Sequence, residues 1–286
     1  MNQFGAIAAG HPLTARAAEE ILRAGGNAYD AAIAATLMAC VTEPVLCSLG
    51  GGGFLMAAPD ASSWASQHSR STKPVLFDFF TQTPGKRLSS GDADFYALTV
   101  DFGSTTQEFH IGNGSIAVPG LIKGLFAAHQ RYARLPMLQL AQQAIDTARE
   151  GVQISAYQAY IFSLIEPIYR QYASAREIFE SRIKPGEILQ TKEVFRNPAM
   201  ANFLEALCKE GANLFYQGEV AQLIESECAQ GGCLSQPDLA AYEVILRDPL
   251  EIIYNNHQLL TNPPPSAGGW VMGFGRQAEV LEPEHL

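Results

Sequence analysis

The chain has 286 residues, and its 19 lysine and arginine residues against 29 aspartate and glutamate residues give a formal net charge of −10. A chain this acidic repels phosphate, which argues against nucleic acid as a partner. Apolar residues make up 47% and charged residues 17% of the sequence, so the composition excludes intrinsic disorder and indicates a buried core.

Two helices are predicted near the start of the chain. Thr14 is a candidate N-cap for residues 15–24, which carry apolar side chains at helical spacing and are followed by Gly25-Gly26 as a stop signal. Residues 27–41 are rich in alanine and apolar nearly all round, a pattern typical of a helix buried on several sides. The most apolar uninterrupted stretch, residues 31–41, is much shorter than the roughly 20 residues that cross a membrane, so no membrane span is predicted.

Strands are predicted after a run of four glycines. The apolar residues 54–58 and 74–80 predict two strands of one sheet, separated by a polar turn at residues 60–72. Residues 81–115 are rich in Gly, Ser, Thr and Asp, and they predict an irregular segment with one short strand at residues 95–100.

The second half of the chain predicts mostly helices. Helical patterns occupy residues 121–132, 138–150, 153–180 in one or two pieces, 198–209, 218–229 and 236–242. A final strand pair is predicted at residues 241–246 and 250–254, and an amphipathic helix at residues 270–281. Since no repeat or low-complexity linker divides the chain, we predict one α/β body in which the early strands belong to a sheet and the central helices form a layer.

The N-terminus and the cysteines bear on the compartment and on metal binding. The first residues, MNQFGAIAAGHPL, do not have the pattern of a secretory signal, so a cytoplasmic location is predicted. Five cysteines is an odd number, and reduced thiols are expected. Cys228 and Cys233 could form half of a metal site, but no second Cys or His pair lies at ligand spacing. Structural thiols are therefore favoured, and neither a metal nor a cofactor is predicted.

Three features are candidates for chemistry. Glycine-rich loops bind phosphate, but the order here is helix, glycines, strand, which is the reverse of the nucleotide-binding motifs. Residues 50–53 are therefore interpreted as a tight buried turn at which chain segments pass closely. Asp78 is at a strand end, where Asp more often caps a turn, and His11 more often has a local hydrogen-bonding role than an acid or base role. These residues alone contain no complete catalytic constellation.

A series of short motifs runs along nearly the whole chain. The series consists of GHPLT at residues 10–14, AEEILRAGGNA at 18–28, EP at 43–44, GGGGF at 50–54, AVPG at 117–120, AREG at 148–151, GANLFYQG at 211–218 and PPPSAGG at 263–269. In sequence and in order, these motifs closely resemble the γ-glutamyltranspeptidase family.

The resemblance implies an N-terminal-nucleophile hydrolase, an αββα sandwich made as one precursor that cuts itself into a large and a small chain. In that family the N-terminal Thr of the small chain attacks the γ-glutamyl amide with its own α-amine as base, and water or an amino acid then resolves the acyl-enzyme. Glutathione is the usual donor. Residues 1–286 match only the large chain, so the resemblance implies a single incomplete domain that contains no catalytic residue and needs the small chain as its partner.

One stretch departs from the family pattern. The family has Asp, an aromatic residue, Arg and Glu after the second strand, and this chain has DFFT at residues 78–81. Phe80 and Thr81 are therefore the candidate substrate-binding residues. A phenyl ring cannot form the bidentate, charge-assisted pair that Arg forms with an α-carboxylate, and Lys86 and Arg87 are the alternative cations. The resemblance leaves open another acyl preference, such as a β-lactam side chain or another amide.

Two functions of different classes follow. The first is the large-chain portion of a γ-glutamyltransferase-like or glutathione-hydrolase-like amidohydrolase, and the second is a non-catalytic truncated or split remnant. The coding sequence downstream distinguishes them. A continuation with a Thr followed by Thr and His, and then alternating strands, supports the enzyme, whereas unrelated sequence supports the remnant.

Overall fold

Strands and helices are mixed along the chain, and most helices follow residue 120. The computed structural model describes residues 5–58, 73–89, 91–269 and 271–272. In chain order the elements are α1 (Pro12–Arg23), α2 (Ala28–Thr42), β1 (Gly53–Ala57), β2 (Val75–Phe79), β3 (Tyr96–Asp101), β4 (Thr106–Ile111), a 3₁₀ turn (Asn113–Ser115), α3 (Leu121–Tyr132), α4 (Met137–Glu150), β5 (Val152–Gln153), α5 (Ala156–Tyr169), α6 (Ala173–Phe179), β6 (Val194–Phe195), α7 (Pro198–Glu210), α8 (Asn213–Tyr216), α9 (Glu219–Cys228), α10 (Gln236–Ala241), β7 (Ile245–Arg247), β8 (Leu250–Tyr254) and β9 (His257–Thr261).

Each helix predicted before residue 243 is present to within about one turn. The segment predicted as one or two helices is two, α5 and α6, and the short helix α8 was not predicted. The predicted turn at residues 60–72 lies outside the described residues. Of the predicted helix at residues 270–281, only residues 271 and 272 are described, and both are helical.

The first helix begins earlier than predicted, because His11 rather than Thr14 is its cap. Nδ1 of His11 accepts a 3.2 Å hydrogen bond from the backbone N–H of Leu13, and Pro12 occupies the first turn, where its missing N–H costs nothing. The local hydrogen-bonding role expected for His11 is thus confirmed. Thr14 is instead buried, and its hydroxyl lies 3.0 Å from that of Thr42 at the end of α2.

Asp30 connects the start of α2 to the turn between α3 and α4. Its side chain is fully buried and accepts a 2.8 Å hydrogen bond from the backbone N–H of Asn27, as one half of a capping box. The same carboxylate accepts hydrogen bonds from the N–H groups of Arg134, at 3.0 Å, and Leu135, at 3.1 Å. These bonds replace the water that burial removes.

The main sheet has three antiparallel strands in the order β1-β2-β7. Phe54 on β1 and Ile245 on β7 both lie opposite Asp78 on β2, so these three side chains share one face. The other face packs on helices. There Phe77 meets the ring of Tyr132 on α3 edge to face, with 5.9 Å between ring centroids. Helices therefore bury the Phe77 side of β2, whereas Leu246, opposite Phe77 on the edge strand β7, is 46% exposed.

The predicted pairing of residues 241–246 with 250–254 is wrong. β7 pairs with β2, and β8 pairs with β9, which was not predicted. Pro249 separates β7 from β8 without a reversing turn, whereas Asn255 and Asn256 have φ values of 48° and 60° and form the two-residue turn that brings β9 back onto β8. The segment predicted as irregular also contains a second strand, β4, which forms a hairpin with β3.

The largest core cluster lies between the N-terminal helices, the inner face of the sheet and helices α3, α4 and α7, with Ile33, Phe77, Ile122, Ile145 and Leu204 at 1% exposure or less. A smaller cluster under α5 and α6 is centred on Phe162. No helix in the described ranges is long and apolar enough to cross a membrane.

Candidate functional site

The candidate site is built at the end of β2, where a carboxylate connects two strands. Oδ2 of Asp78 accepts a 2.7 Å hydrogen bond from Nε of Arg247 on β7, and Oδ1 accepts a 3.1 Å bond from the backbone N–H of Phe80. The Asp78 side chain is 5% exposed. Asp78 therefore caps the turn after β2, as the sequence favoured, and it also forms an ion pair that the sequence did not predict.

Phe80, the first predicted substrate-binding residue, follows the last residue of β2 and is 47% exposed. Its ring stacks on that of Phe54, with 5.5 Å between centroids and 12° between planes. Its carbonyl accepts a 2.8 Å hydrogen bond from the hydroxyl of Tyr242. The backbone of Phe80 is thus held from two sides, while the ring remains partly open to solvent.

The glycine run is packed against this strand end. The carbonyl of Gly51 accepts hydrogen bonds from the N–H groups of Gly120, at 2.9 Å, and Leu121, at 3.0 Å, at the start of α3. A Cβ on Gly52 would lie 2.7 Å from the backbone nitrogen of Thr81 and 2.8 Å from the carbonyl oxygen of Phe79. The close approach predicted for residues 50–53 is confirmed at Gly52, because only glycine leaves room there for the neighbouring backbone. The predicted burial of the turn is wrong, because Gly50 and Gly52 are exposed.

Two buried tyrosines support the strand end from the side of α3. Tyr242 stacks on Tyr216 with 5.8 Å between ring centroids, and the hydroxyl of Tyr216 donates a 2.8 Å hydrogen bond to the carbonyl of Pro119. Burial raises the pKa of both phenols, so they remain neutral donors. Lys123 donates to the carbonyl of Tyr242, and burial lowers the pKa of its amine.

The other sequence candidates lie in different surroundings. Thr81, the second predicted substrate-binding residue, is partly buried beside Gly52. Lys86 and Arg87 are on an exposed loop, and the charge of Lys86 acts on the carboxylate of Glu225 on α9. The residue that sequence reasoning missed is Arg247. The sequence did contain a signal for such a residue, because Asp78 lies in a strand predicted to be buried and a buried charge needs a partner of opposite charge.

The cysteines carry free thiols in the structure, and Cys228, which is 3% exposed, has its pKa raised chiefly by burial. Within the described ranges, no cluster of three or more His, Cys, Asp or Glu side chains is arranged to hold a metal ion. The end of β2 thus presents an aromatic surface next to an ion pair, without a metal site in the described residues.

Comparison with known proteins shows the family to which the chain belongs. A family model described as gamma-glutamyltranspeptidase matches residues 14–275. A glutathione hydrolase proenzyme from Pseudomonas aeruginosa is 32% identical over 270 residues, which cover 93% of this chain and 44% of the relative. An acylase ACY 1 proenzyme from Pseudomonas sp. strain V22 is 29% identical, with coverage of 97% and 48%. The crystal structure of Helicobacter pylori gamma-glutamyltranspeptidase superposes with a TM-score of 0.78 at 28% identity, with coverage of 94% and 72%.

The mixed helix and strand fold is the α/β fold of the N-terminal-nucleophile hydrolases, as expected. Within that superfamily, the chain belongs to the γ-glutamyltranspeptidase family. It spans less than half the length of the curated relatives described above, 44% of one and 48% of the other. Both of these relatives are described as proenzymes.

Proposed function

We propose that this chain is the large-chain portion, one incomplete domain, of an amidohydrolase or acyltransferase of this family. A second, small chain supplies an N-terminal Thr as nucleophile. That Thr attacks the amide carbonyl of the donor, and water or an amine then takes the acyl group. This chain contributes the strand end that contacts the acyl group.

Exposed apolar side chains on the edge strand β7 and at the end of β2 carry this proposal. Ile245 and Leu246 on β7 are 41% and 46% exposed and Phe80 is 47% exposed, whereas residues 76–79 of β2 are buried on both faces. Exposed apolar side chains at a sheet edge favour a further protein layer, and a second sheet is the layer that an αββα sandwich would supply. The family match over less than half of each relative supports the same conclusion.

Substitutions on the exposed edge strand test the proposed partner. Ile245→Glu places a charge on that edge strand, so it should abolish co-purification with a co-expressed small chain from the downstream coding sequence. Ile183→Glu is the matched control, because Ile183 is 69% exposed and lies in the loop after α6. Equal recovery of the small chain with both variants would contradict the proposed interface, and a downstream sequence without any small chain would support the non-catalytic remnant.

We also propose that the donor carries an acyl group without an α-carboxylate, as a family member with a non-glutamyl preference would use. Phe80 presents an apolar ring at the position where the family has Arg. The neighbouring cation, Arg247, hydrogen-bonds Asp78, so its charge is already balanced by a carboxylate. A substrate α-carboxylate placed there would lose its water and gain no net counter-charge. The relatives include both an acylase proenzyme, at 29% identity, and a glutathione hydrolase proenzyme, at 32% identity, so the proposed preference rests on Phe80 and Arg247.

Phe80→Arg in the assembled enzyme tests the acyl preference. The substitution should improve kcat/KM for γ-glutamyl amides relative to neutral acyl amides by up to about a hundredfold, the equivalent of a few kcal/mol. Phe95→Arg is the control, since Phe95 is similarly exposed, at 51%, but stacks on His110 beside the β3–β4 hairpin. If the wild type already prefers glutathione, Phe80 does not define the acyl site, and Lys86→Ala and Arg87→Ala then show which cation binds the carboxylate.

A further inference from the structure

Cys40 and Cys47 face each other where α2 leads into the glycine run. Their Sγ atoms are 3.4 Å apart. Cys40 is in the last turns of α2 and is 4% exposed, whereas Cys47 lies in the following loop and is partly exposed. Five residues later, Gly52 passes the backbone of the candidate site. The two thiols are therefore joined to the candidate site by a short stretch of chain.

The environment gives the two thiols different reactivity. The hydrogen bond from Cys40 stabilises the Cys47 thiolate and lowers the pKa of Cys47, while the same bond and burial raise the pKa of Cys40. The thiolate is the attacking form in thiol–disulfide exchange, and Cys47 is also the more exposed of the two. Cys47 is thus suited to react first and Cys40 to react second.

We propose that Cys40 and Cys47 form a redox-sensitive dithiol, oxidised to an intramolecular disulfide by small-molecule disulfides. The sulfurs must close from 3.4 Å to a bond of about 2.05 Å, a change that side-chain rotation in the loop around Cys47 can supply. This proposal does not depend on the acyl-transfer function.

The reaction proceeds in two exchanges. The Cys47 thiolate attacks one sulfur of the small disulfide, whose S–S bond breaks, and the thiolate that leaves takes up the proton that Cys47 gave. Cys40 then attacks the Cys47 sulfur of the mixed disulfide and displaces the second small thiol, which receives the Cys40 proton. Two protein thiols are oxidised to one cystine, and the small disulfide is reduced to two thiols.

The product would close a short loop between α2 and the glycine run. Cross-linking restricts the unfolded chain, so the oxidised protein should have a higher Tm than the reduced protein. The loop also precedes Gly51, whose carbonyl accepts hydrogen bonds from Gly120 and Leu121, so oxidation would restrain the chain that holds the start of α3.

Glutathione disulfide is the probe for the test. The full chain is incubated with it, the remaining thiols are alkylated after the protein has been unfolded, and the products are mapped by mass spectrometry without reduction. We expect a loss of two hydrogen atoms, one peptide in which an internal disulfide joins Cys40 and Cys47, alkylation of Cys208, Cys228 and Cys233, and full reversal by dithiothreitol. Linkage through any of the other three cysteines, disulfide-linked dimers or no change in thiol content would overturn the proposal.

Serine variants separate the two roles. Cys40→Ser should trap glutathione on Cys47 as a stable mixed disulfide, and Cys47→Ser should leave Cys40 unmodified. Cys208→Ser is the control: Cys208 is partly buried and burial raises its pKa to about 11, so its removal should leave the internal disulfide unchanged. Glutathione captured by Cys40 in the Cys47→Ser variant at the rate of the wild type would contradict the assigned order of attack.

Discussion

Nε of Arg247 donates a 2.7 Å hydrogen bond to Oδ2 of Asp78, which joins residues 169 positions apart in sequence. The other oxygen of Asp78 accepts from the backbone N–H of Phe80. One carboxylate thus fixes the last strand of the main sheet and the turn that presents Phe80. The position of the candidate acyl-binding ring consequently depends on a residue far away in the chain.

Replacement of Arg247 by Met should lower the free energy of unfolding by about 2 kcal/mol, because Asp78 would remain as a buried carboxylate without its cation. Urea unfolding measures this difference. Arg16→Met is the control, since the Arg16–Glu20 ion pair has side chains 70% and 43% exposed and is screened by solvent, so its loss should lower stability much less. If both variants lost the same stability, the burial of Asp78 would not determine how much its ion pair contributes to the free energy of unfolding.

Gly52→Ala should disrupt the end of β2. The added Cβ would lie 2.7 Å from the backbone nitrogen of Thr81, and a backbone neighbour cannot move aside as a flexible side chain can. We expect a loss of about 1–3 kcal/mol in stability, measured by urea unfolding. At Gly50 the nearest atom to an added Cβ is the Ser48 hydroxyl at 3.6 Å, so Gly50→Ala should be nearly neutral. If Gly52→Ala left the stability unchanged, the close approach would be absent in solution.

Asp30→Ala should be among the more destabilising single changes at a polar side chain. It removes the acceptor for the N–H groups of Asn27, Arg134 and Leu135, and unsatisfied buried donors cost about 1–3 kcal/mol each. Thermal unfolding followed by circular dichroism measures the effect. Asp146→Ala on the exposed side of α4 should change Tm little, and similar shifts for both variants would contradict the role given to Asp30.

The pH dependence of stability should carry a contribution from His11. Burial lowers the pKa of His11 from its ordinary value of 6.5, and the nearby Glu43 opposes this only in part. Because the pKa is lower in the folded state, the unfolded state binds more protons, so stability rises with pH in this window. The contribution is fully present above 6.5 and is lost as the pH falls through the lowered value.

His11→Asn keeps an acceptor at the cap but removes the titrating group. When the pH is lowered from neutral to below the pKa of His11, the Tm of the variant should therefore fall less than the Tm of the wild type. His257→Asn, in the exposed start of β9, is the control and should follow the wild-type curve. Identical pH profiles for His11→Asn and wild type would show that the cap does not titrate.

The helices were predictable because their signals are local. Apolar spacing, the stop at Gly25-Gly26 and the proline that begins α7 all lie within or next to the segment they specify. Strand pairing was harder, because β7 finds its partner β2 through contacts distant in sequence. The Asn255-Asn256 turn was a local signal for the β8–β9 hairpin, and it was missed because no strand had been assigned after it.

In the candidate site, too, the residues with a local sequence signal were predicted, whereas contacts between distant parts of the chain were not. The motif at residues 78–81 made Phe80 and Thr81 candidates through a family resemblance, and the glycine run indicated a close approach, which the structure confirms at Gly52. The contacts of Arg247 and Tyr242 with this strand end were not predicted, because the geometry that brings them there arises only when the sheet and α3 have packed together. The Asp78 carboxylate indicated that a cation was needed, but not which one.

The hydrogen bond between Tyr242 and the carbonyl of Phe80 spans 162 residues, and this has a consequence for synthesis on the ribosome. The first helices and the β1–β2 pair emerge long before Tyr242 and Arg247 are translated. Contacts of such sequence separation form late. The nascent chain therefore exposes an unfinished β2 edge during most of its translation, so slow elongation before residue 242 should increase the need for chaperones that bind apolar strands.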